Sequence, residues 1–278
     1  MKLGFSTWAM PDLPIDTSVR ELAALGFQGV EITVIPPYST ELDTLGAAER
    51  LRIRRLYDDC GVEMPAVAGH ASLLAAGDAH AENWRRLTKA ADLCVDFAGP
   101  DGPPALNTTL GSSIDSFEQQ RDLIVERTCR LTEYCAARGV VLAIEPHSGD
   151  GLRDPEECVW LLEAAASPFL RLNFDISHFN IQGLPVERTV PLLAPLSVHT
   201  HVKDERGRIP RSDFLIPGEG EFDYVGYLRE MRKAGYEGYI TAEISMQVQR
   251  RPGYDPLAAA AMTYDTLDAA FREAGIER

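Results

Sequence analysis

Four acid or imidazole side chains stand near the ends of four successive apolar runs. They are Glu145 in "VVLAIEPHS" (140–148), Asp175 in "LRLNFDISHF" (170–179), His201 in "SVHTHVKD" (197–204) and Glu243 in "GYITAEIS" (238–245). An ionised carboxylate inside an apolar strand is expensive to bury without a counter-charge. Three carboxylates and an imidazole brought together would resolve that cost by sharing a divalent cation. Oxygen-rich ligation with one nitrogen favours Mn²⁺, Mg²⁺ or Co²⁺ over the thiolate or all-histidine sets of structural zinc. Asp175 is then a metal ligand, and His178 lies beside it in the following turn.

The elements must bring these four residues together. Four more β-branched or apolar runs precede them, at 2–9, 29–35, 62–70 and 105–111, making eight strand candidates. Between the strands lie stretches of helical apolar periodicity near 16–26, 47–60, 78–97, 115–138, 154–166, 185–194, 222–234 and 256–273. Asp16 and Asp115 are expected N-caps, and "RGVV" (138–141) and "AGYEGYI" (234–240) place glycine between a helix end and the next strand. One helix per strand over 278 residues predicts α/β architecture, a single (β/α)8 TIM barrel spanning 1–278. A doubly wound sheet is the rival, but the first strand leads into no GxGxxG fingerprint. In a barrel the chemistry sits at the C-terminal ends of the strands, where Glu145, Asp175, His201 and Glu243 all fall.

Charge narrows the partners. A formal net charge of −15 and a pI near 4.8 repel phosphate backbones and acidic membrane surfaces, so neither nucleic acid nor membrane is an expected partner. No apolar run approaches the ~20 residues of a membrane helix, and "LGFSTWAM" after Met1-Lys2 does not read as a signal peptide. Five cysteines without CxxC spacing read as reduced thiols, placing the chain in the cytoplasm.

The pattern resembles the xylose-isomerase-like TIM barrels, the sugar phosphate isomerase/epimerase family that includes ketose 3-epimerases, hydroxypyruvate isomerase and inosose dehydratase. The resemblance spans essentially the whole chain. It is carried by "IEPHSG" (144–149), "FDISHF" (174–179), "HVKD" (201–204), "PGEGEFDY" (217–224) and "AEIS" (242–245), in the family order. It implies that Glu145, Asp175, His201 and Glu243 bind one divalent metal, with His178 contacting a substrate oxygen or completing the ligand environment. For the ketose epimerases it further implies that Glu145 and Glu243 exchange a proton with substrate carbon on opposite faces of an enediolate. A homo-oligomer, dimer or tetramer, is implied as well. "RPGYDP" (251–256) is one candidate contact, or equally a lid.

Around such a site Trp8 is read as an apolar wall for a sugar, and His70 and Asn107 as hydrogen-bond partners for hydroxyls. Each also has a purely structural reading in barrel packing or turn chemistry. His199 and His147 are either site or core residues, and His80 reads as solvated surface. Lys203 and Asp204 are read as a pair that orients His201 or the substrate, and Glu219 as part of a glycine-flanked loop able to close over a ligand.

Arg206, Arg208, Arg211, Arg250 and Arg251 fall in the loops where barrels often hold phosphate, but without a glycine-rich nest. The expected substrate is therefore an unphosphorylated sugar, sugar acid or polyol. The expected reaction is metal-dependent isomerisation or epimerisation, and the alternative is dehydration of a keto-cyclitol or related keto-sugar. A three-zinc apurinic-site endonuclease is disfavoured, because the chain has only six histidines and an acidic balance.

Overall fold

The computed structural model describes residues 1–111 and 117–278. Eight parallel strands close into a barrel: β1 (Lys2–Ser6), β2 (Gly29–Thr33), β3 (Ala66–Ala68), β4 (Ala105–Thr109), β5 (Leu142–Glu145), β6 (Leu170–Asp175), β7 (Ser197–Val202) and β10 (Tyr239–Ala242). Each lies within a run expected from the sequence. β8 (Asp204–Arg208) and β9 (Arg211–Leu215) form an antiparallel hairpin outside the barrel, directly after β7. The sequence marks this segment as loop, so the hairpin departs from expectation.

The outer layer is α1 (Ile15–Leu25), α2 (Ala47–Cys60), α3 (Gly77–Asp96), α4 (Phe117–Ala136), α5 (Pro155–Ala165), α7 (Val186–Leu193), α8 (Tyr224–Lys233) and α10 (Pro256–Ala274). Two short helices, α6 (Ile176–Asn180) and α9 (Met246–Gln249), follow β6 and β10 at the mouth of the barrel. Asp16 is not an N-cap: Pro14 occupies that position, and the Asp16 carboxylate pairs with Arg52 of α2 instead. Asp115 lies outside the described residues. Gly139, at φ +69°, makes the left-handed turn expected between α4 and β5, a conformation that costs glycine nothing.

Alternation along the strands sorts the side chains. Val30, Ile32, Leu106, Leu142, Ile144, Leu172, Phe174, Val202 and Ile240 belong to the buried apolar cluster that includes helix residues such as Leu22, Leu56 and Leu131. The opposite parity fills the barrel interior. Ala66, Ala105 and Ala143 form a small separate cluster, and above them lie the fully buried polar residues Glu31, Asn107, Asn173, His199, His201 and Thr241. A polar interior of this kind is costly to fold unless its members satisfy one another or a ligand. Tight packing continues where the sheet closes: a Cβ on Gly29 would stand 2.3 Å from the Tyr239 ring, so only glycine fits there.

Register then sets the heights. Asp175 of β6 lies opposite His201 of β7, and His201 lies opposite Thr241 of β10, so Glu243 rises two residues above His201. Glu145 closes β5 opposite Thr109 of β4.

Candidate active site

The structure brings together the four residues expected to hold a metal. One donor atom from each of Glu145, Asp175, His201 and Glu243 lies within 4.8 Å of the others, and all four side chains are buried. They come from β5, β6, β7 and the end of β10, four neighbouring positions in the barrel order. His201 Nδ1 is 3.6 Å from Glu145 Oε1 and 3.8 Å from Glu243 Oε1, while Asn173 Nδ2 lies 3.1 Å from the same nitrogen. Asp175 divides its oxygens. Oδ1 caps α6 by accepting from Ser177 N at 2.9 Å and from Ser177 Oγ, whereas Oδ2 faces Lys203.

Lys203 is paired differently from expectation. Its ammonium contacts Asp175 and lies 2.5 Å from Glu243 Oε2, bridging two of the candidate ligands. Asp204 points the other way and accepts from the backbone N–H groups of Gly218 (2.8 Å), Gly220 (3.0 Å) and Phe222 (3.2 Å), pinning the loop that follows the hairpin. Glu219 of that loop is held by Arg251 at 2.6 Å.

The electrostatics follow from burial and these contacts. Burial alone would raise the carboxyls of Glu145 and Asp175. The charges on His201 and Lys203 around Glu145, and on Lys203 and His201 around Asp175, outweigh it and hold both carboxyls below their ordinary range. Burial opposes the charge of His201, but Glu31, Glu243 and Glu145 raise its pKa well above the ordinary value. His178 goes the other way: burial first, then the neighbouring His147, keep it neutral. Burial also opposes the Lys203 charge, yet Asp175 and Glu243 raise its pKa further.

Above this floor opens a cavity of about 330 Å³. Trp8 and Phe214 form apolar walls, and Glu145, Glu243, Lys203, His70, His147 and His178 present polar groups to it. Trp8 is fixed by stacking on Tyr38 and by an edge contact with His70 at 5.2 Å between ring centroids. His178 packs against His147 at 3.7 Å between centroids, and its Nδ1 lies 3.1 Å from Ser148 Oγ. His147 Nδ1 accepts from Gly149 N at 3.2 Å, so a neutral His147 carries its proton on Nε2. Among the described residues no arginine lines the cavity.

Asn107 does not line the cavity. It sits below, fully buried, with Nδ2 3.4 Å from Glu31 Oε2. His199 is also beneath the site, and His80 lies half-buried on α3. Sequence reasoning missed Glu31 and Phe214. Glu31 alternates with Val30 and Ile32, so its inward parity was readable; Phe214 belongs to the unexpected hairpin.

This donor set fits a hard or borderline divalent ion. Four buried carboxylates, counting Glu31, face Lys203 and His201 as their cations among the described residues, leaving the interior negative without an added one. Three carboxylates and one imidazole nitrogen would supply the ligands.

A model of the xylose isomerase-like TIM barrel family matches residues 19–265. The chain belongs to that family. A provisionally named hydroxypyruvate isomerase of Streptomyces coelicolor is 27% identical over 95% of this chain and 94% of its own length. A fructoselysine 3-epimerase of Escherichia coli O157:H7 is 26% identical over 91% and 93%. An inosose dehydratase of Geobacillus thermodenitrificans is 24% identical over 45% and 47%. Relatives within this barrel family thus include sugar isomerases, epimerases and dehydratases.

Proposed function

We propose that the chain is a divalent-metal-dependent isomerase or epimerase that acts through an enediolate on an unphosphorylated ketose, sugar acid or related polyol. One observation carries this reading. Glu145 and Glu243, borne by strands with β6 and β7 between them, border one cavity and approach the same nitrogen of His201 at 3.6 and 3.8 Å. Two carboxylates so placed can serve one substrate carbon from two sides.

Glu145, Asp175, His201 and Glu243 would hold the ion, with Mn²⁺ best suited to the donor set and Mg²⁺ or Co²⁺ acceptable. Bound there, it would polarise a carbonyl and its adjacent hydroxyl and so acidify the C–H between them. The protein supplies the rest. One glutamate removes the carbon-bound proton and the other returns one, either to the opposite face for epimerisation or to the neighbouring carbon for isomerisation. Neutral His178 offers hydrogen bonds to substrate oxygens, and His70 lines the same cavity. Lys203 adds a positive charge at the cavity floor that favours developing oxyanion character. Trp8 and Phe214 exclude water from the reacting carbon.

A dehydratase is the second reading. Lys203 borders the cavity as a protonated ammonium and could protonate a leaving hydroxyl, and the inosose dehydratase relative keeps this reaction in view. One experiment separates the two: proton NMR of the Mn²⁺-loaded chain in D₂O with ketoses, sugar acids and keto-inositols, following exchange of the C–H beside the carbonyl. Deuterium in a product of otherwise unchanged mass supports isomerisation or epimerisation. Deuterium with loss of water supports the dehydratase. No exchange across the panel rejects the enediolate reading.

A further inference from the structure

Beneath the cavity, Glu31 of β2 is a fully buried carboxylate on which donors from three other strands converge. Ser6 Oγ donates to Oε1 at 2.6 Å, and Asn107 Nδ2 reaches Oε2 at 3.4 Å. His201 Nε2 lies 3.0 Å from Oε1 and 3.2 Å from Oε2. A carboxylate accepts hydrogen bonds and donates none, so the His201 nitrogen facing Glu31 must carry a proton. The other nitrogen, Nδ1, is turned toward Glu145 and Glu243 and has Asn173 Nδ2 at 3.1 Å, a donor that leaves Nδ1 as the unprotonated nitrogen of a neutral ring.

We propose that Glu31 is the positioning residue of the metal centre: it holds His201 with Nε2–H turned down into the barrel and the Nδ1 lone pair offered to the ion. The inference rests on the metal reading of the site above. The same arrangement makes metal-ligating imidazoles better donors elsewhere, where a carboxylate behind the ring fixes its tautomer and orientation. Here the ring has no freedom to choose otherwise. His201 is fully buried, its neighbour His199 packs edge-on at 5.3 Å between centroids, and Glu31 Oε1 lies at direct hydrogen-bond distance from Nε2.

His199 defines the competing arrangement. Its Nε2 is 3.2 Å from Glu31 Oε2, within ion-pair reach of the same carboxylate. Glu31, His199 and His201 also place donor atoms within 4.8 Å of one another, so they could themselves ligate a second ion. Against this, the trio would take Nε2 of His201 away from the proton that satisfies Glu31, and Glu31, His199 and His201 are fully buried and do not line the cavity above.

The test is Mn²⁺ binding to the purified chain, by calorimetry for affinity and electron paramagnetic resonance for stoichiometry, in the wild type, Glu31→Gln and His199→Gln. The expected result is one Mn²⁺ per wild-type chain and an affinity about 10–100-fold weaker in Glu31→Gln. His199→Gln, which alters a residue equally buried against Glu31, should retain wild-type affinity. Should Glu31→Gln fail to fold, Ser6→Ala removes one donor to Oε1 and should weaken binding in the same direction by a smaller factor. Wild-type affinity in Glu31→Gln, or in Ser6→Ala if that is the variant available, overturns the proposal. So does a second Mn²⁺ in the wild type that His199→Gln abolishes. A wild-type chain that binds no Mn²⁺ rejects the metal reading itself, a failure distinct from retained affinity in the variants.

Discussion

The ammonium of Lys203 lies 2.5 Å from Glu243 Oε2 and contacts Asp175 with its other side, so one side-chain cation spans two of the candidate metal-binding carboxylates. Lys203 is itself buried, with the Phe214 ring 5.7 Å from Nζ as its other neighbour. In the absence of a divalent ion this lysine is what keeps Asp175 and Glu243 from repelling one another.

Lys203→Met should therefore destabilise the ion-free chain far more than the Mn²⁺-loaded one. Removing one partner of a buried ion pair costs about 3–5 kcal/mol, and here two carboxylates lose their cation together. Added Mn²⁺ would restore positive charge at the same oxygens. Urea denaturation in chelator and in excess Mn²⁺ measures the difference. An equal loss under both conditions would show that Lys203 acts through packing, not through charge shared with the ion.

The paired glutamates make a sharper demand on activity. Glu145→Gln and Glu243→Gln each keep shape while removing the ability to take a proton, and general acid–base groups contribute about 10²–10⁴-fold to rate. Turnover on any substrate that exchanges in D₂O should fall by that order in each variant. Circular dichroism should show the barrel intact. A variant with wild-type turnover removes its glutamate from the mechanism.

The barrel was legible because every strand is an apolar run and every helix repeats its apolar face, two local signals that survive without tertiary knowledge. The four candidate metal-binding residues were legible for a related reason: each breaks an apolar run near its C-terminal end, where a barrel puts chemistry. What stayed hidden depends on distance in the chain. "HVKD" sets Lys203 beside Asp204, but closure of the barrel delivers Asp175 and Glu243 to the lysine instead. Glu31 meets His201 across 170 positions of sequence. The hairpin was hidden because its first strand, "DERGR", is charged and largely exposed beyond Glu205, with no apolar alternation to mark it. With it went Phe214, which that hairpin delivers to the cavity wall.

Glu205, at the base of the hairpin, gives stability a pH dependence of definite sign. Burial is the chief cause that raises its carboxyl to about 8 from an ordinary 4.5; Asn180, donating to Oε1 at 2.7 Å, and Lys203 act against it, and Asp175 and Asp204 act with it. Between those two values the folded chain holds a proton that the unfolded chain has released. Stability from this group is thus complete below about 4.5, falls as pH rises, and is lost above about 8. Glu205→Gln, which mimics the protonated acid, should flatten that decline in melting temperature between pH 5 and 8. A variant whose melting profile runs parallel to the wild type over this range would place the titrating group elsewhere.

Phosphate discrimination is the remaining consequence of the cavity's composition. A phosphoryl group is best held by arginine forks or by a helix-opening nest of backbone N–H groups. Arg206 donates to the Glu219 carbonyl and Arg251 pairs with the Glu219 carboxylate, both away from the cavity lining, which offers Lys203 as its one permanently charged cation. That ammonium is already engaged by Asp175 and Glu243. A second dianion beside Glu145 and Glu243 would meet like charge in a confined space of about 330 Å³. For a sugar and its phosphate ester compared at equal Mn²⁺, kcat/KM should be higher for the free sugar, with the penalty seen mainly in KM. A phosphate ester turned over with the higher kcat/KM would mean that the arginines of the hairpin swing inward on binding. Arg206→Ala and Arg208→Ala would then abolish the preference.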